Sequence, residues 1–179
     1  MKNIPSVDLN DFLSNDIDKK KAFVSKLGKA YNEIGFVALK GHFLDDNDIK
    51  EVYSSIKEFF DLPEEIKAKY ELDGFDGQRG YTSFGKEHAK GKKHGDLKEF
   101  WHFGQYLDDD EYTKFNYPKN QIVTELPKFN NIGKKVFQSL EKTAIYVLRA
   151  ISLYLDLEED HFDKYCLLYT SPSPRDPRE

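Results

Sequence analysis

The chain has 179 residues, 39% hydrophobic and 15% aromatic, which is enough for one domain with a hydrophobic core and excludes a disordered protein. Its 27 basic and 32 acidic residues give a net charge of −5, which excludes a global basic field that would attract nucleic acid or an anionic membrane. A single cysteine excludes an intramolecular disulfide framework, and with neither a signal peptide nor a membrane span indicated, we expect a cytoplasmic protein.

The N-terminal segment predicts short strands alternating with an amphipathic helix. Residues 4–9 alternate in the manner of a strand that has a proline near its start. A helix follows, capped by Asp16 or Asp18 and stopped at Gly35, because apolar side chains recur between them at helical spacing. Residues 36–39 then predict a buried strand.

The next segment predicts two helices and a loop. The first helix runs from about residues 45–48 to the residue before Pro63, with an apolar stripe of Ile49, Val52, Ile56, Phe59 and Phe60. Residues 63–71 predict a further helix, because proline suits a first turn and two glutamates suit the positive helix end. Residues 73–95 are rich in glycine and lysine and predict a long loop, which in a compact domain is usually functional or disordered.

A strand and a long helix are predicted after this loop. The strand places Phe100, His102 and Gly104 on one face and Trp101 and Phe103 on the other. The long helix runs from about residue 126 to 155 with a strong 3.6-residue period, in which the apolar positions are Phe129, Ile132, Val136, Leu140, Ala144, Val147, Leu148, Ile151 and Leu155.

The histidines do not indicate a metal site. His88 and His94 lie among lysines that would repel a divalent cation, which favours a solvated basic loop. His102 is interpreted as a hydrogen-bonded histidine on a partly buried face. His161 and Asp163 form the His-x-Asp of the triad that holds non-haem Fe(II), but a helix is ending there and no histidine follows, so we interpret the match as accidental.

Residue chemistry alone indicates no catalytic centre. Cys166 has no neighbouring histidine, and neither a Gly-x-Ser-x-Gly nor a Gly-x4-Gly-Lys pattern occurs. The adjacent carboxylates of Glu64 and Glu65, and those of residues 108–110, are typical of solvated turns. The sequence therefore predicts neither a catalytic residue nor a metal ligand in this chain.

The order of five segments is more informative than any single residue. "IPSVDL", "AYNEIGFVALKGH", "FFDLPEEIKAKY", "GQRGYTSFG" and "DLKEFWHFG" occur in that order. Over residues 4–165 the chain resembles the N-terminal half of the isopenicillin N synthase family of Fe(II)- and 2-oxoglutarate-dependent oxygenases, and is closest to its bacterial branch. The resemblance implies an α+β fold, the helix-rich N-terminal region of a jelly-roll (double-stranded β-helix) oxygenase, truncated before most core strands.

The same resemblance implies that the cofactor ligands are missing. The family's His-x-Asp, distal histidine and Arg-x-Ser lie in its second half, and none has a counterpart here. Fe(II) and 2-oxoglutarate would bind the complete parent, an oxidoreductase acting on a small organic substrate, whereas this chain alone is expected to bind neither and to be inactive. Part of the apolar stripe of the long helix should then be exposed, with non-specific self-association as the result.

Residues 166–179, "CLLYTSPSPRDPRE", contain three of the seven prolines and the only cysteine. Their codons can read TGT CTC TTA TAC ACA TCT and then CCG AGC CCA CGA GAC, which resembles a transposon end followed by a sequencing-library adapter. We therefore expect residues 1–165 to form the native N-terminal domain and residues 166–179 to be translated adapter, excluded from fold reasoning. A natural flexible tail rich in proline and serine is the alternative.

Arg79 and Tyr81 are candidate substrate contacts. In family members whose substrates carry a carboxylate, an arginine and a tyrosine from this "RGY" region can reach over the mouth of the barrel. A guanidinium can grip a carboxylate through two parallel hydrogen bonds, and the flanking glycines let the backbone bend to aim it. The alternative is that Arg79 pairs with Asp73, Asp76 or Glu99 and only pins the loop.

Two functions of different classes remain open. The first is an N-terminal fragment of a non-haem iron oxygenase whose complete form couples decarboxylation of 2-oxoglutarate to oxidation of a small organic substrate. The second is a stand-alone, non-catalytic module that binds an anionic ligand or partner through its basic glycine-rich loop. A longer reading frame encoding the missing ligands would support the first, and a natural stop codon the second.

Overall fold

The computed structural model describes residues 3–74, 77–87, 95–114 and 117–166. The described backbone divides into two compact units, one formed by residues 3–45 together with residues 139–166, and the other by the described residues of Asp46–Gln138. Within the described ranges, no helix has the length and apolar character needed to cross a membrane.

The first unit is mainly helical and contains one small sheet. Its elements in chain order are β1 (Ser6–Asp8), α1 (Leu9–Leu13), α2 (Ile17–Glu33), β2 (Ala38–Lys40), the C-terminal part of α6 (Pro127–Tyr154) and α7 (Asp163–Cys166). β1 and β2 pair in parallel, with Val7 opposite Leu39. The Ala38 N–H donates to the carbonyl of Pro5 at 2.8 Å, so the proline stands just before the strand, where its missing donor breaks no ladder bond.

The buried strand expected at residues 36–39 is wrong in two respects. The strand lies one to two residues later than expected, and it is only half buried. Phe36 is 67% exposed, and Ala38 and Lys40 are also exposed. Successive side chains of a strand point to opposite faces, so Val37 and Leu39 alone reach the core of this unit.

The ends of α2 follow their sequence signals. The Asp16 carboxylate accepts hydrogen bonds from the backbone N–H groups of Asp18 and Lys19 at 3.0 and 3.2 Å, which caps the helix. Gly35 adopts a positive φ of 82°, and its N–H reaches back to the carbonyls of the last helical turn. Both predicted boundaries of this helix are confirmed.

The core of the first unit forms between α1, α2 and α6. Gly28 permits close packing here, because a Cβ at this position would lie 2.1 Å from the ring of Tyr154. The phenyl rings of Phe12 and Phe23 lie 5.4 Å apart. The buried residues of this core are Val7, Leu9, Phe12, Phe23, Leu27 and Ala150.

The second unit combines short helices with an antiparallel strand pair. Its elements are α3 (Asp46–Phe60), α4 (Glu64–Lys67), a 3-10 turn (Ala68–Tyr70), β3 (Gly80–Thr82), β4 (Phe100–His102), α5 (Asp109–Lys114) and the N-terminal part of α6. Pro63 immediately precedes α4, which lasts one turn before tightening into the 3-10 turn, so the helix predicted over residues 63–71 is shorter than expected.

The long loop predicted over residues 73–95 is interrupted, and this prediction is corrected. β3 lies inside it and pairs with β4, with Tyr81 opposite Trp101. Gly80 makes the pairing possible, because it has a φ of 72° and a Cβ there would lie 2.4 Å from the carbonyl oxygen of Tyr70. Residues 75–76 and 88–94 of the predicted loop lie outside the described residues.

An aromatic cluster forms the core of the second unit. Phe59 is fully buried, and its ring centroid lies 4.7 Å from that of Trp101 and 5.1 Å from that of Phe129. Trp101 and Phe103 pack against this core and His102 is exposed, as the predicted strand faces require. The buried members are Phe59, Tyr70, Tyr81, Val123 and Phe129.

The bounds of α6 agree with the predicted helix to within one residue at each end, but its apolar stripe is only partly buried. Phe129 and Ile132 are buried, whereas Leu140 is 50% exposed and Leu155, one residue after the helix, is 53% exposed. Thr143 is buried although it is polar; its hydroxyl donates to the Ser139 carbonyl at 2.8 Å.

Candidate functional site

Arg79 precedes β3 and is 4% exposed. Its Nη1 donates a hydrogen bond to the carbonyl of Gln78. Nε and Nη2 are buried and have no hydrogen-bond partner among the described residues. A guanidinium is always charged, and burying a charge without a partner costs several kcal/mol in order-of-magnitude terms. Within the described ranges, Arg79 is therefore a buried cation with no anion bound to its Nε and Nη2.

The two unpartnered nitrogens form one edge of the guanidinium. Their N–H bonds are nearly parallel, which is the geometry that a carboxylate accepts with both oxygens. The expected alternative, a pairing of Arg79 with Glu99, does not occur, because the Glu99 carboxylate binds Lys67 and Tyr81 instead. Asp76, a second expected partner, lies outside the described residues.

Three residues contact the guanidinium of Arg79: Gln78, Gly104 and Tyr117. A fourth residue, Asn120, holds Gly104 in place. We call these four residues the Arg79 cradle. Gly104 is buried against the guanidinium: a Cβ at this position would lie 1.9 Å from Nε, 2.0 Å from Cζ and 2.4 Å from Nη2 of Arg79. The side-chain amide of Asn120 accepts from the Gly104 N–H at 2.7 Å and donates to the Gly104 carbonyl at 2.9 Å. The glycine backbone is thus held on both sides.

The ring of Tyr117 completes the Arg79 cradle. The guanidinium carbon of Arg79 lies 4.3 Å from the ring centroid, a cation–π contact. The backbone N–H of Tyr117 donates to the Tyr112 carbonyl at 3.0 Å. The Tyr112 hydroxyl donates in turn to the carbonyl of Gln105 at 2.9 Å, beside Gly104. Tyr112 therefore links the backbone of Tyr117 to the backbone beside Gly104 by hydrogen bonds.

Tyr81, the other candidate contact, lies in the aromatic core and is 1% exposed. Its hydroxyl donates to Glu99 Oε2 at 2.5 Å, and the same oxygen binds Lys67 Nζ at 2.7 Å. Burial, and then the hydrogen bond to Glu99, raises the pKa of the Tyr81 hydroxyl well above its ordinary value, so the group remains a donor. The position of Tyr81 gives it a packing role in β3.

The His-x-Asp pair is engaged in structural contacts. Asp163 accepts three hydrogen bonds from Arg149, at 2.6, 3.1 and 3.2 Å, and His161 makes ring contacts with Phe162 and Tyr165. A ligand carboxylate has to offer its lone pairs to the metal, so this donor set does not fit iron. In the described ranges, no three His, Cys, Asp or Glu side chains lie together in a way that could hold a metal ion.

The remaining histidines add no site. His102 Nδ1 lies 2.6 Å from the carbonyl oxygen of Gly77, so the expected hydrogen bond is confirmed, although the residue is exposed and not partly buried. His88 and His94 lie outside the described residues. Residues 167–179 of the tail and the side chain of Cys166 lie outside the described part of the chain as well.

Sequence reasoning misses most of the Arg79 cradle. Tyr117 and Asn120 lie in a polar connection that has no apolar periodicity. For Gly104, the strand pattern predicts which face of the strand it lies on but not a contact with Arg79. Lys67 and Glu99 resemble ordinary surface charges in the sequence, although their side chains are 9% and 17% exposed. The signal that identifies these residues is the burial of a strand pair next to an arginine. That burial is a property of the folded chain and cannot be recognised in the sequence.

Residues 4–125 match the family described as non-haem dioxygenase in morphine synthesis, N-terminal. A 1-aminocyclopropane-1-carboxylate oxidase from Dictyostelium mucoroides is 29% identical over 171 residues, covering 92% of this chain and 45% of that protein. A 2-oxoglutarate-Fe(II) type oxidoreductase from Metarhizium rileyi is 27% identical, covering 89% of this chain and 46% of its own. The chain thus spans about half the length of these relatives.

Solved structures also match this chain over about half of their own length. A 2OG-Fe(II) oxygenase family protein from Caulobacter crescentus is 35% identical with a TM-score of 0.76, covering 91% of this chain and 52% of that chain. A full-length protein from Neurospora crassa, solved in complex with alpha-KG, has a TM-score of 0.71 at 23% identity. The match covers 89% of this chain and 46% of the Neurospora chain, and at that identity it shows the fold alone.

Proposed function

Because this chain belongs to the non-haem dioxygenase family, we propose that it is the N-terminal half of an Fe(II)- and 2-oxoglutarate-dependent oxygenase that oxidises a small organic substrate. The observation that carries the proposal is the family match over residues 4–125, together with relatives of whose length the aligned part of this chain covers only 45% and 46%. The relatives are named as oxidoreductases and their solved neighbours as 2OG-Fe(II) oxygenases, which supports oxidation as the reaction class.

We propose that the iron and 2-oxoglutarate ligands belong to the other half of the complete protein and that this chain alone is inactive. Support comes from Asp163, whose two carboxylate oxygens accept hydrogen bonds from Arg149. Residues 166–179 are, on this proposal, translated adapter that replaces the native continuation after residue 165. The described residues then contribute supporting structure and a substrate contact to the enzyme, but none of the ligands of the reacting metal.

The first expected result concerns iron. Isothermal calorimetry of this chain with Fe(II) under anaerobic conditions should show no stoichiometric low-micromolar site, and succinate formation from 2-oxoglutarate should stay at the level without protein. The same assays on the protein encoded by the reading frame extended past residue 165 should show both. The extended sequence should contain a His-x-Asp, a distal histidine and an Arg-x-Ser.

Two outcomes would count against this proposal. A tight iron site in the present chain would show that its own residues hold the metal. A source sequence that continues through residues 166–179 to a natural stop codon would favour the alternative, a stand-alone binding module. Of the basic residues in its glycine-rich loop, Lys86 pairs with Glu71 at 2.9 Å, and residues 88–94 lie outside the described residues.

We also propose that Arg79 contacts a carboxylate of the substrate. Its buried, unpartnered Nε and Nη2 support this role, because an anion with two oxygens would remove the cost of burying the charge. Tyr81 is not proposed as a second substrate contact, because its hydroxyl is bound to Glu99. We propose instead that Tyr81 stabilises β3. The contact to the substrate therefore rests on Arg79.

Self-association is expected of this chain because part of the α6 stripe is uncovered. Leu140 is 50% and Leu155 is 53% exposed, and exposed apolar patches favour association. Light scattering after gel filtration should give a mass above that of the monomer, and Leu140→Glu should move it towards the monomer. Ser54→Glu, at an exposed position of α3, adds the same charge and should leave the mass unchanged. A monomeric wild-type chain that binds no hydrophobic dye would contradict the expectation.

A further inference from the structure

We propose that Trp101, Tyr70 and Glu125 form a one-electron redox relay in the second unit. When a one-electron oxidant removes an electron from Trp101, Tyr70 supplies the replacement electron and passes its phenolic proton to the Glu125 carboxylate. The relay goes beyond the oxygenase function, because neither Arg79 nor a metal ligand takes part in it. In an oxidising enzyme it moves an oxidising equivalent out of the aromatic core before a side chain there is damaged.

The first link of the relay is the contact between the rings of Trp101 and Tyr70. Their centroids lie 6.1 Å apart, with an angle of 59° between the ring planes. The other described rings in contact with Trp101 belong to Phe59, Phe103 and Phe129. A phenyl ring carries no ionisable proton and is much harder to oxidise than a phenol. Tyr70 is therefore the electron donor that contacts Trp101 among the described residues.

The indole N–H of Trp101 determines the direction of electron transfer. Trp101 Nε1 is buried and has no hydrogen-bond partner in the described part of the chain. An oxidised indole that cannot release its N–H proton remains a radical cation, which is a stronger oxidant than the deprotonated radical. A buried charge without a partner is also unfavourable. Oxidised Trp101 therefore takes an electron from a neighbouring phenol.

Tyr70 has the proton acceptor that Trp101 lacks. Tyr70 is 7% exposed, and its hydroxyl donates a hydrogen bond to Glu125 Oε2. The backbone N–H of Thr124 donates to the same hydroxyl oxygen at 2.9 Å, so this oxygen keeps a hydrogen bond after its proton has left. The hydrogen bond from Tyr70 lowers the pKa of Glu125, so the carboxylate is ionised at neutral pH and can accept the proton.

Electrons and protons balance in this step. The electron moves from the Tyr70 ring to the Trp101 ring, and the proton moves from the Tyr70 hydroxyl to Glu125 Oε2. The products are neutral Trp101, a neutral phenoxyl radical at Tyr70 and a neutral carboxylic acid at Glu125. The Glu125 side chain is 32% exposed, so water can then take the proton. The step therefore leaves no charge in the aromatic core.

Tyr81 is the alternative electron donor, but its surroundings oppose oxidation. It lies opposite Trp101 in the strand pair. Lys67 Nζ lies 5.5 Å from the centroid of the Tyr81 ring, and removing an electron beside a cation costs Coulomb energy. The proton acceptor of Tyr81 is Glu99, which also binds Lys67 at 2.7 Å and has a side chain only 17% exposed. The distribution of charge therefore favours Tyr70.

The test uses this chain alone and photo-oxidation of its only tryptophan. A laser pulse at the long-wavelength edge of the indole absorption excites Trp101, and a cobalt(III) ammine complex accepts the electron irreversibly. Transient absorption then follows the indole and tyrosyl radicals. In the wild type, the tyrosyl band should grow as the indole band decays, at a rate independent of protein concentration. Glu125→Gln should slow this growth about 100-fold, the lower end of what a positioned proton acceptor contributes.

Three further variants separate Tyr70 from the other tyrosines. Tyr70→Phe keeps the ring but loses the hydroxyl, so the indole radical should live longer and the fast tyrosyl band should be absent. Tyr81→Phe should behave as the wild type does. Tyr53→Phe removes a phenol at a position 71% exposed and should also leave the kinetics unchanged. The fluorescence spectrum of Trp101 shows whether the aromatic core of each variant is intact.

Three results would overturn the relay. The first is equal decay of the indole radical in the wild type and Tyr70→Phe. The second is a fast tyrosyl band that is lost in Tyr81→Phe but kept in Tyr70→Phe, and the third is unchanged kinetics in Glu125→Gln. Glu125 is exposed, so its substitution keeps the proposal testable if Tyr70→Phe does not fold. The oxygenase proposal is decided separately, by iron binding and turnover.

Discussion

Replacing Phe59 by alanine is expected to lower the free energy of unfolding of this chain by about 3–5 kcal/mol, the usual cost of removing a fully buried phenyl group. Phe59 is 0% exposed and its ring contacts Trp101, Phe129 and other members of the aromatic core. We expect the neighbouring rings to close the cavity only in part, because they pack in tilted and edge-on contacts with one another.

The measurement is urea unfolding followed by tryptophan fluorescence. Trp101 is the only tryptophan, and its ring lies 4.7 Å from that of Phe59, so the signal reports this core. Tyr53→Ala on the same helix is the matched control, because Tyr53 is 71% exposed and its loss should cost about 0.5 kcal/mol or less. Equal effects of the two substitutions would show that Phe59 does not organise the core.

Replacing Lys67 by methionine is expected to have the second large effect, a loss of about 3–5 kcal/mol. The substitution keeps the length of the side chain but leaves the Glu99 carboxylate, 17% exposed, without its cation. Glu99 would retain only the hydrogen bond from Tyr81. The double substitution with Glu99→Gln should recover part of this loss, because the buried charge is then removed together with its partner.

Lys57→Met is the control for this pair. Lys57 and Asp61 form an ion pair on the same unit, but their side chains are 74% and 62% exposed, so its loss should cost about 1 kcal/mol at most. Urea unfolding with the Trp101 signal compares all variants. A Lys67→Met variant no less stable than Lys57→Met would mean that the buried pair does not stabilise the second unit.

Much of the helical structure can be predicted from the sequence. The period of apolar residues in α2, α3 and α6 and the capping signals at Asp16 and Gly35 place these helices close to their observed bounds. Helix hydrogen bonds join residues four apart, so the information needed lies within each segment. The order of five short segments likewise indicates the family, which the match over residues 4–125 shows.

The strands and the site are less accessible to prediction. β3 cannot be predicted from the sequence, because it has only three residues, one of them a glycine, which is too few to show an alternation of apolar and polar residues. It forms by pairing with β4, which lies further along the chain. The burial expected for residues 36–39 fails at Phe36, since alternation and not composition decides which side chains face the core. The resemblance indicates Arg79, but nothing in the sequence indicates its cradle.

Patterns along the chain are sufficient to indicate the family, the long helices and the presence of an arginine able to bind a carboxylate. The fold determines what surrounds that arginine: Asn120 and Gly104 come together because the chain folds back after β4, and Glu99 is bound by Lys67. It also decided that Asp163 serves Arg149. The reason is that burial and pairing of charges depend on residues distant in sequence, whose approach no local pattern records.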